Sequence, residues 1–218
     1  MLKKALKKVS IIFLIITTAW AIYMGAYLPL QKSYAYIDAK RKAFKARSFA
    51  EFKSIYNKAF NYPSPVGQRE LGKFFTSSLQ SAVANKNQTA RGAEALAKFG
   101  ESKIFKDYPI HQLNMAYVYA TMYKNFDKKE YFKKAEHYFK KMREIGPDLP
   151  HPLYGLLGLY LDTNKKQKAK EIALKILKRW PNSKKAKSAL LKMGMSKKEI
   201  KAKIGTSTTI TTSSKKKN

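Results

Sequence analysis

The side chains that could do chemistry are few and far apart. The three histidines are His111, His137 and His151. None has a second histidine or a carboxylate at ligand spacing on its own helix, so neither a metal cage nor an acid–base pair is formed locally. His111 opens a helical pattern, His137 falls on a lysine-rich face, and His151 precedes a proline in a linker. The 14 Asp and Glu residues lie at wide intervals, with no close pair to supply an acid and a base. Most of them, Glu136 and Glu144 included, stand three to five residues from lysines and read as ordinary helix-surface pairing. Gly155 and Gly158 have the wrong spacing for a phosphate loop. Cysteine is absent, which excludes a disulfide framework, a thiolate metal site and a cysteine nucleophile. The pattern calls for no catalytic residue, no cofactor and no metal.

Charge is the stronger signal. Against those 14 acids stand 45 Lys+Arg, for a net charge of +31 over 218 residues. That balance excludes a near-neutral enzyme surface and directs attention to acidic partners or anionic membranes. Only 6 of the basic residues are Arg, the residue that clamps phosphates and base edges with two donors at once. Lysine spread along the whole chain reads as a solvated surface before it reads as a nucleic-acid site. Hydrophobic residues at 44% suffice for a folded core.

Residues 1–8 form a basic leader with four lysines and no acid. Residues 9–30 follow without a charge. At helical rise this run is about 33 Å long, enough to cross a bilayer core. Trp20, Tyr23 and Tyr27 lie toward its far end, where aromatic rings suit the headgroup layer. Pro29 is expected to mark the exit from the helix. A signal peptide cleaved after Ala21 is the competing reading, but the apolar run continues for nine residues beyond that point. The uncleaved anchor is therefore favoured. The basic leader places the N-terminus inside and residues 31–218 on the outer face of a cell membrane.

Beyond a basic juxtamembrane segment, residues 31–47, apolar residues recur at three- and four-residue spacing and no strand pattern appears. The spacing predicts helices at 48–62, 66–86, 89–106, 110–125, 128–145, 152–163, 166–179, 183–193 and 196–204, joined by turns of two to six residues. Residues 48–106 form one helical region and 107–204 a second. Residues 205–218 end in three lysines, have little apolar content, and are expected to be a disordered basic tail.

A 34-residue period runs through the second region. Pro147 and Pro181 are 34 apart, as are Ala135 and Ala169, and the stretches 134–147 and 168–181 align without a gap. Leu153, Leu156, Leu157 and Tyr160 form the stripe of the preceding helix, and Ala116, Tyr119, Ala120 and Tyr123 its upstream counterpart. This resembles the tetratricopeptide repeat (TPR), two antiparallel helices per 34 residues with proline closing the second. Leu157 stands where that family places a small residue, with Gly158 one step later. Residues 48–64 look like an eroded second helix of an earlier unit. More loosely, residues 20–182 resemble the extramembrane carboxy-terminal part of bacterial O-antigen-ligase-type membrane proteins, without the ligase region.

The resemblance implies an all-α fold: a transmembrane helix, then a right-handed helical-hairpin solenoid whose first helices line a groove. That groove is expected to hold Asn114, Tyr117, Thr121 and Lys124 from one unit and His151, Tyr154 and Leu161 from the next. Tyr117 and Tyr154 form a ladder suited to a peptide, or else pack against the following element. The expected function is a scaffold for protein–protein interaction with an acidic protein or peptide, with residues Val9–Leu30 in the lipid bilayer. The alternatives are a charge-driven binder of nucleic acid or an anionic envelope polymer, and an accessory to envelope polysaccharide assembly. Cysteines introduced singly between residues 31 and 218 should react with impermeant maleimide in intact cells. Reaction only after lysis would reverse the orientation.

Overall fold

The computed structural model describes residues 2–205, with side chains from 6 to 204. Met1 and residues 206–218, where most of the expected tail falls, lie outside the described residues. The described chain is all-helical. Its helices are α1 Leu2–Ile22, α2 Leu28–Ala43, α3 Phe49–Phe60, α4 Gln68–Ala84, α5 Ala90–Glu101 and α6 Pro109–Phe126. They continue as α7 Lys129–Ile145, α8 Pro150–Asp162, α9 Lys166–Arg179, α10 Lys184–Lys192 and α11 Lys197–Gly205. Gly205, expected in the tail, instead closes α11.

The amino-terminal helix is long and apolar enough to cross a membrane, and it stays helical from Leu6 to Ala43. Its side chains from Leu6 to Ile22 are nearly all exposed. The helix therefore does not stop at Pro29. Directly before this proline, residues Tyr23–Tyr27 form a π-helical turn, which leaves Pro29 in the first turn of α2. A first-turn proline needs no N–H partner, and the wider turn relieves the crowding its ring would otherwise cause. The juxtamembrane stretch is thus ordered helix, with Lys32, Tyr36 and Ala39 buried against the rest of the protein.

Short polar residues set the helix starts. Ser48, Thr89 and Ser183 cap α3, α5 and α10 by accepting hydrogen bonds from the N–H groups of Glu51, Gly92 and Ala186. Glu51 also accepts from the N–H of Arg47, one residue before the cap, and Ser196 and Glu199 form a reciprocal capping box at the start of α11. One core of buried apolar residues extends from Tyr36 to Ile200. Phe74 of α4 is 53% exposed, while Phe75 beside it fills the core.

The 34-residue period is visible in the backbone. At the end of α7, Gly146 has φ −134° and ψ 74°; at the end of α9, Trp180 has φ −128° and ψ 82°. Their N–H groups close equivalent bonds to the carbonyls of Met142 and Ile176, at 2.8 and 2.7 Å. Pro147 and Pro181 come next and forbid another turn. The preceding helices, α6 and α8, end at the left-handed residues Asp127 and Asn164, two residue types that tolerate that conformation.

The seam between α4 and α6 is polar. His111 is fully buried, its Nδ1 accepting from the Phe105 N–H at 2.9 Å and its Nε2 donating to the Arg69 carbonyl at 2.8 Å. The Asn125 amide donates to the Val83 carbonyl. Gln112 donates to the carbonyls of Phe105 and Lys106, latching the seven-residue turn 102–108. Acceptance at Nδ1 requires the neutral imidazole, and burial, with the nearby Arg69 charge, lowers the His111 pKa. In the unfolded chain His111 protonates near pH ~6.5. The stabilisation it supplies is therefore complete above that pH and declines as pH falls below it toward the lowered folded value. Denaturant unfolding of the detergent-solubilised chain should show lower stability at pH 5.5 than at pH 8. His111→Phe should shrink that difference and cost about 1–3 kcal/mol at pH 8, since it leaves two backbone groups unpaired.

Candidate functional site

A groove of about 500 Å³ lies between α6 and α8, with α7 beneath it. Ring contacts fix how the three helices run. Phe139 of α7 meets Tyr117 edge-on at 5.3 Å, and its ring occupies the space where Gly155 of α8 lacks a side chain. One heptad earlier in α7, Phe132 meets Tyr123 of α6 at 5.8 Å and Tyr160 of α8 at 6.4 Å. So α6 and α8 run in the same direction and α7 runs against them. The close approach falls at Gly155, where any Cβ would strike the Phe139 ring. Gly158 instead faces open space, with nothing within 4 Å of an added Cβ.

Of the residues expected in this groove, Tyr117, Lys124 and Tyr154 line it. The other four do not. The Asn114 amide donates to the Lys73 carbonyl and the Thr76 hydroxyl, both at 3.0 Å, and so joins the α4–α6 seam. Thr121 is half-buried outside the lining. His151 is exposed in the first turn of α8, not in a linker, and Leu161 is exposed outside the lining. The lining also contains Tyr123, Asp127, Phe139, Gly158, Asp162 and Lys185. Several of these sit at helix ends, where a stripe-based reading of helix faces does not look.

The two tyrosines are held, not free. Burial raises the pKa of Tyr117. The Tyr154 hydroxyl is 2.7 Å from Ser183 Oγ, and its ring stacks on Trp180 at 6.4 Å with the Lys185 ammonium 5.7 Å from its centre. One end of the groove is therefore aromatic and cationic. The other end carries Asp127 and Asp162 at the carboxy-terminal ends of α6 and α8, where the helix dipoles are negative, with Lys124 close by. In a chain of +31 this concentration of carboxylate gives the groove a polarity the average charge conceals. Among the described residues no group of three His, Asp or Glu is arranged to hold a metal ion.

Behind the groove the hairpins are fastened by a repeated clasp. Glu101 of α5 accepts hydrogen bonds from Tyr119 of α6 at 2.8 Å and Tyr138 of α7 at 2.9 Å, and pairs with Lys134 of α7 at 3.2 Å. Glu136 of α7 accepts from Tyr160 of α8 at 2.5 Å and pairs with Lys168 of α9 at 3.2 Å. Each clasp joins a glutamate on the second helix of one hairpin to a tyrosine and a lysine on the next hairpin. Glu136 is thus more than a surface partner of Lys140, although it also pairs with that residue at 3.5 Å. The signal was in the spacing, since Lys134 and Lys168 share the 34-residue offset and Glu101 and Glu136 lie 35 apart.

Comparison with protein families, curated proteins and solved structures returned no significant match, so the groove is interpreted from its own geometry.

Burial works to raise the pKa of Glu136, but the bonds from Tyr160 and Lys168 and the charge of Lys140 outweigh it and hold the carboxyl below its usual range. The clasp therefore stabilises the fold above pH ~4.3 and releases as pH falls through the lowered value. Tyr160→Phe and Glu136→Gln should each destabilise the protein. A double-mutant cycle should return a coupling of about 1–3 kcal/mol at pH 7 that shrinks near pH 3.

Proposed function

We propose that this chain is a membrane-anchored scaffold of tetratricopeptide type, which binds a protein or peptide in the groove between α6 and α8 at the outer face of the cell membrane. The groove is the observation that carries the reading. It combines concavity, three tyrosines, a glycine wall and opposite charges at its two ends, the features of a surface that orients an extended segment. Support for the repeat comes from the matching turns at Gly146 and Trp180 and from the two clasps. Setting aside the leader's four lysines leaves +27 on residues 31–218, which speeds encounter with acidic partners over a range limited by salt. The lysine excess also favours a second reading, a polyanion binder indifferent to the groove. Its affinity would fall steeply with salt.

Gly158 provides a clean test. A Cβ at this position meets nothing within 4 Å and the residue lines the groove, so leucine here should block binding while leaving stability unchanged or raised by up to about 1 kcal/mol. A photo-crosslinking residue at position 120 should yield a discrete protein adduct in cells, reduced at least tenfold by Gly158→Leu and by Tyr154→Ala. The same adduct at equal yield in all three backgrounds would reject the groove as the contact site.

A further inference from the structure

The buried face of α2 begins lower on the helix than a free stalk would allow. Leu28, Lys32, Tyr36 and Ala39 are buried at spacings of four, four and three, one continuous face of the helix. Leu28 is still inside the uncharged run 9–30. Lys32 lies only two residues beyond it, about 3 Å at helical rise. The headgroup layer on each side of a bilayer is about 5–7 Å thick, so Lys32 stands within it when the run spans the hydrocarbon. Whatever covers Lys32 must stand at the same depth. The structure shows what does: the Lys32 ammonium donates to the Tyr62 carbonyl at 3.2 Å, and its Cδ lies 3.7 Å from the Cβ position of Gly67.

We infer that the turn between α3 and α4, residues 61–67, is a bilayer-contact surface lying in the headgroup layer where the amino-terminal helix leaves the hydrocarbon. The inference rests on the membrane-spanning reading of residues 9–30 and adds a second point of contact to it. The chemistry of the turn agrees. Its sequence, Asn-Tyr-Pro-Ser-Pro-Val-Gly, has no charged residue, in a chain where 27% of residues are charged. Pro63, Pro65 and Val66 are exposed, Val66 at 55%. Proline and valine at the surface cost little beside the headgroups, and a charge-free turn avoids the desolvation that a lysine would incur there. The Lys32 ammonium turns inward to a backbone carbonyl, and burial lowers its pKa, so this cation is engaged by protein and not by lipid phosphate. With contacts at the span and at the turn, the helical domain rests on the membrane instead of swinging from it.

The absence of cysteine makes the test direct. Single cysteines at positions 66, 65, 16 and 188 would carry a nitroxide in the full chain, reconstituted into phosphatidylcholine nanodiscs. Accessibility to oxygen, which concentrates in lipid, is compared with accessibility to a water-soluble nickel chelate. Position 16, exposed within the uncharged run, should read as hydrocarbon and exposed Ser188 as water. Positions 66 and 65 should read between them, with nickel accessibility several-fold below that of position 188. Positions 66 and 65 matching 188 while 16 reads as lipid would overturn the contact and leave the span intact. Position 16 reading as water would overturn both. Circular dichroism of each variant, expected to match the parent, excludes misfolding as the cause.

Discussion

The contact of one ring with one glycine governs the arrangement of the central helices. Phe139 fills the space that Gly155 leaves empty and meets Tyr117 with its edge, so a single side chain sets the spacing of α6, α7 and α8. Packed interiors respond to the addition of even one methylene. A methyl at 155 would push α8 off α7, open the floor of the groove, and pull Tyr160 away from Glu136. Fold and candidate site are therefore specified at the same point. The groove is what remains above Phe139 once the two parallel helices have closed on it.

Polar chemistry holds what the rings align. The α4–α6 seam uses side chains of α6 to satisfy backbone carbonyls of α4, and the glutamate clasps tie successive hairpins. Lysine takes part in this packing more than its count suggests. The ammonium groups of Lys103, Lys134, Lys165 and Lys168 lie 4.5–5.4 Å from the centres of Phe60, Tyr119, Phe132 and Tyr160. Their aliphatic stems roof the aromatic core while the charge stays near water. Part of the +31 is thus structural, and only the remainder is available to attract a partner.

Local signals were legible and non-local ones were not. Prolines and apolar spacing placed α3, α4 and α6 to α11 within two residues, because each of those signals acts within one turn, whereas α5 ends at Glu101, five residues before the expected boundary at 106. The 34-residue period was readable for the same reason: Pro147 and Pro181 end helices wherever the rest of the chain goes. The hydrogen bonds of Asn114 and the open side of Gly158 depend on which helix lies opposite, and periodicity cannot supply that. Phe74 and Phe75 are both apolar neighbours, and only the packing of α3 and α5, whose rings surround Phe75, decides which one is buried. Pro29 is a different case, since its effect was cancelled by a π turn that apolar composition does not announce.

That π turn sets an angle. Each residue of an α-helix advances the chain by about 100° around the axis. A turn one residue wider offsets everything after Tyr27 relative to everything before Tyr23. Because the helix is unbroken to Ala43 and α2 packs firmly on α3, the azimuth of the helical domain about the amino-terminal axis is geared to the rotation of residues 9–22. The helix is a keyed shaft, and the direction in which the groove opens is decided by the five residues Tyr23–Tyr27, some 90 positions earlier in the chain.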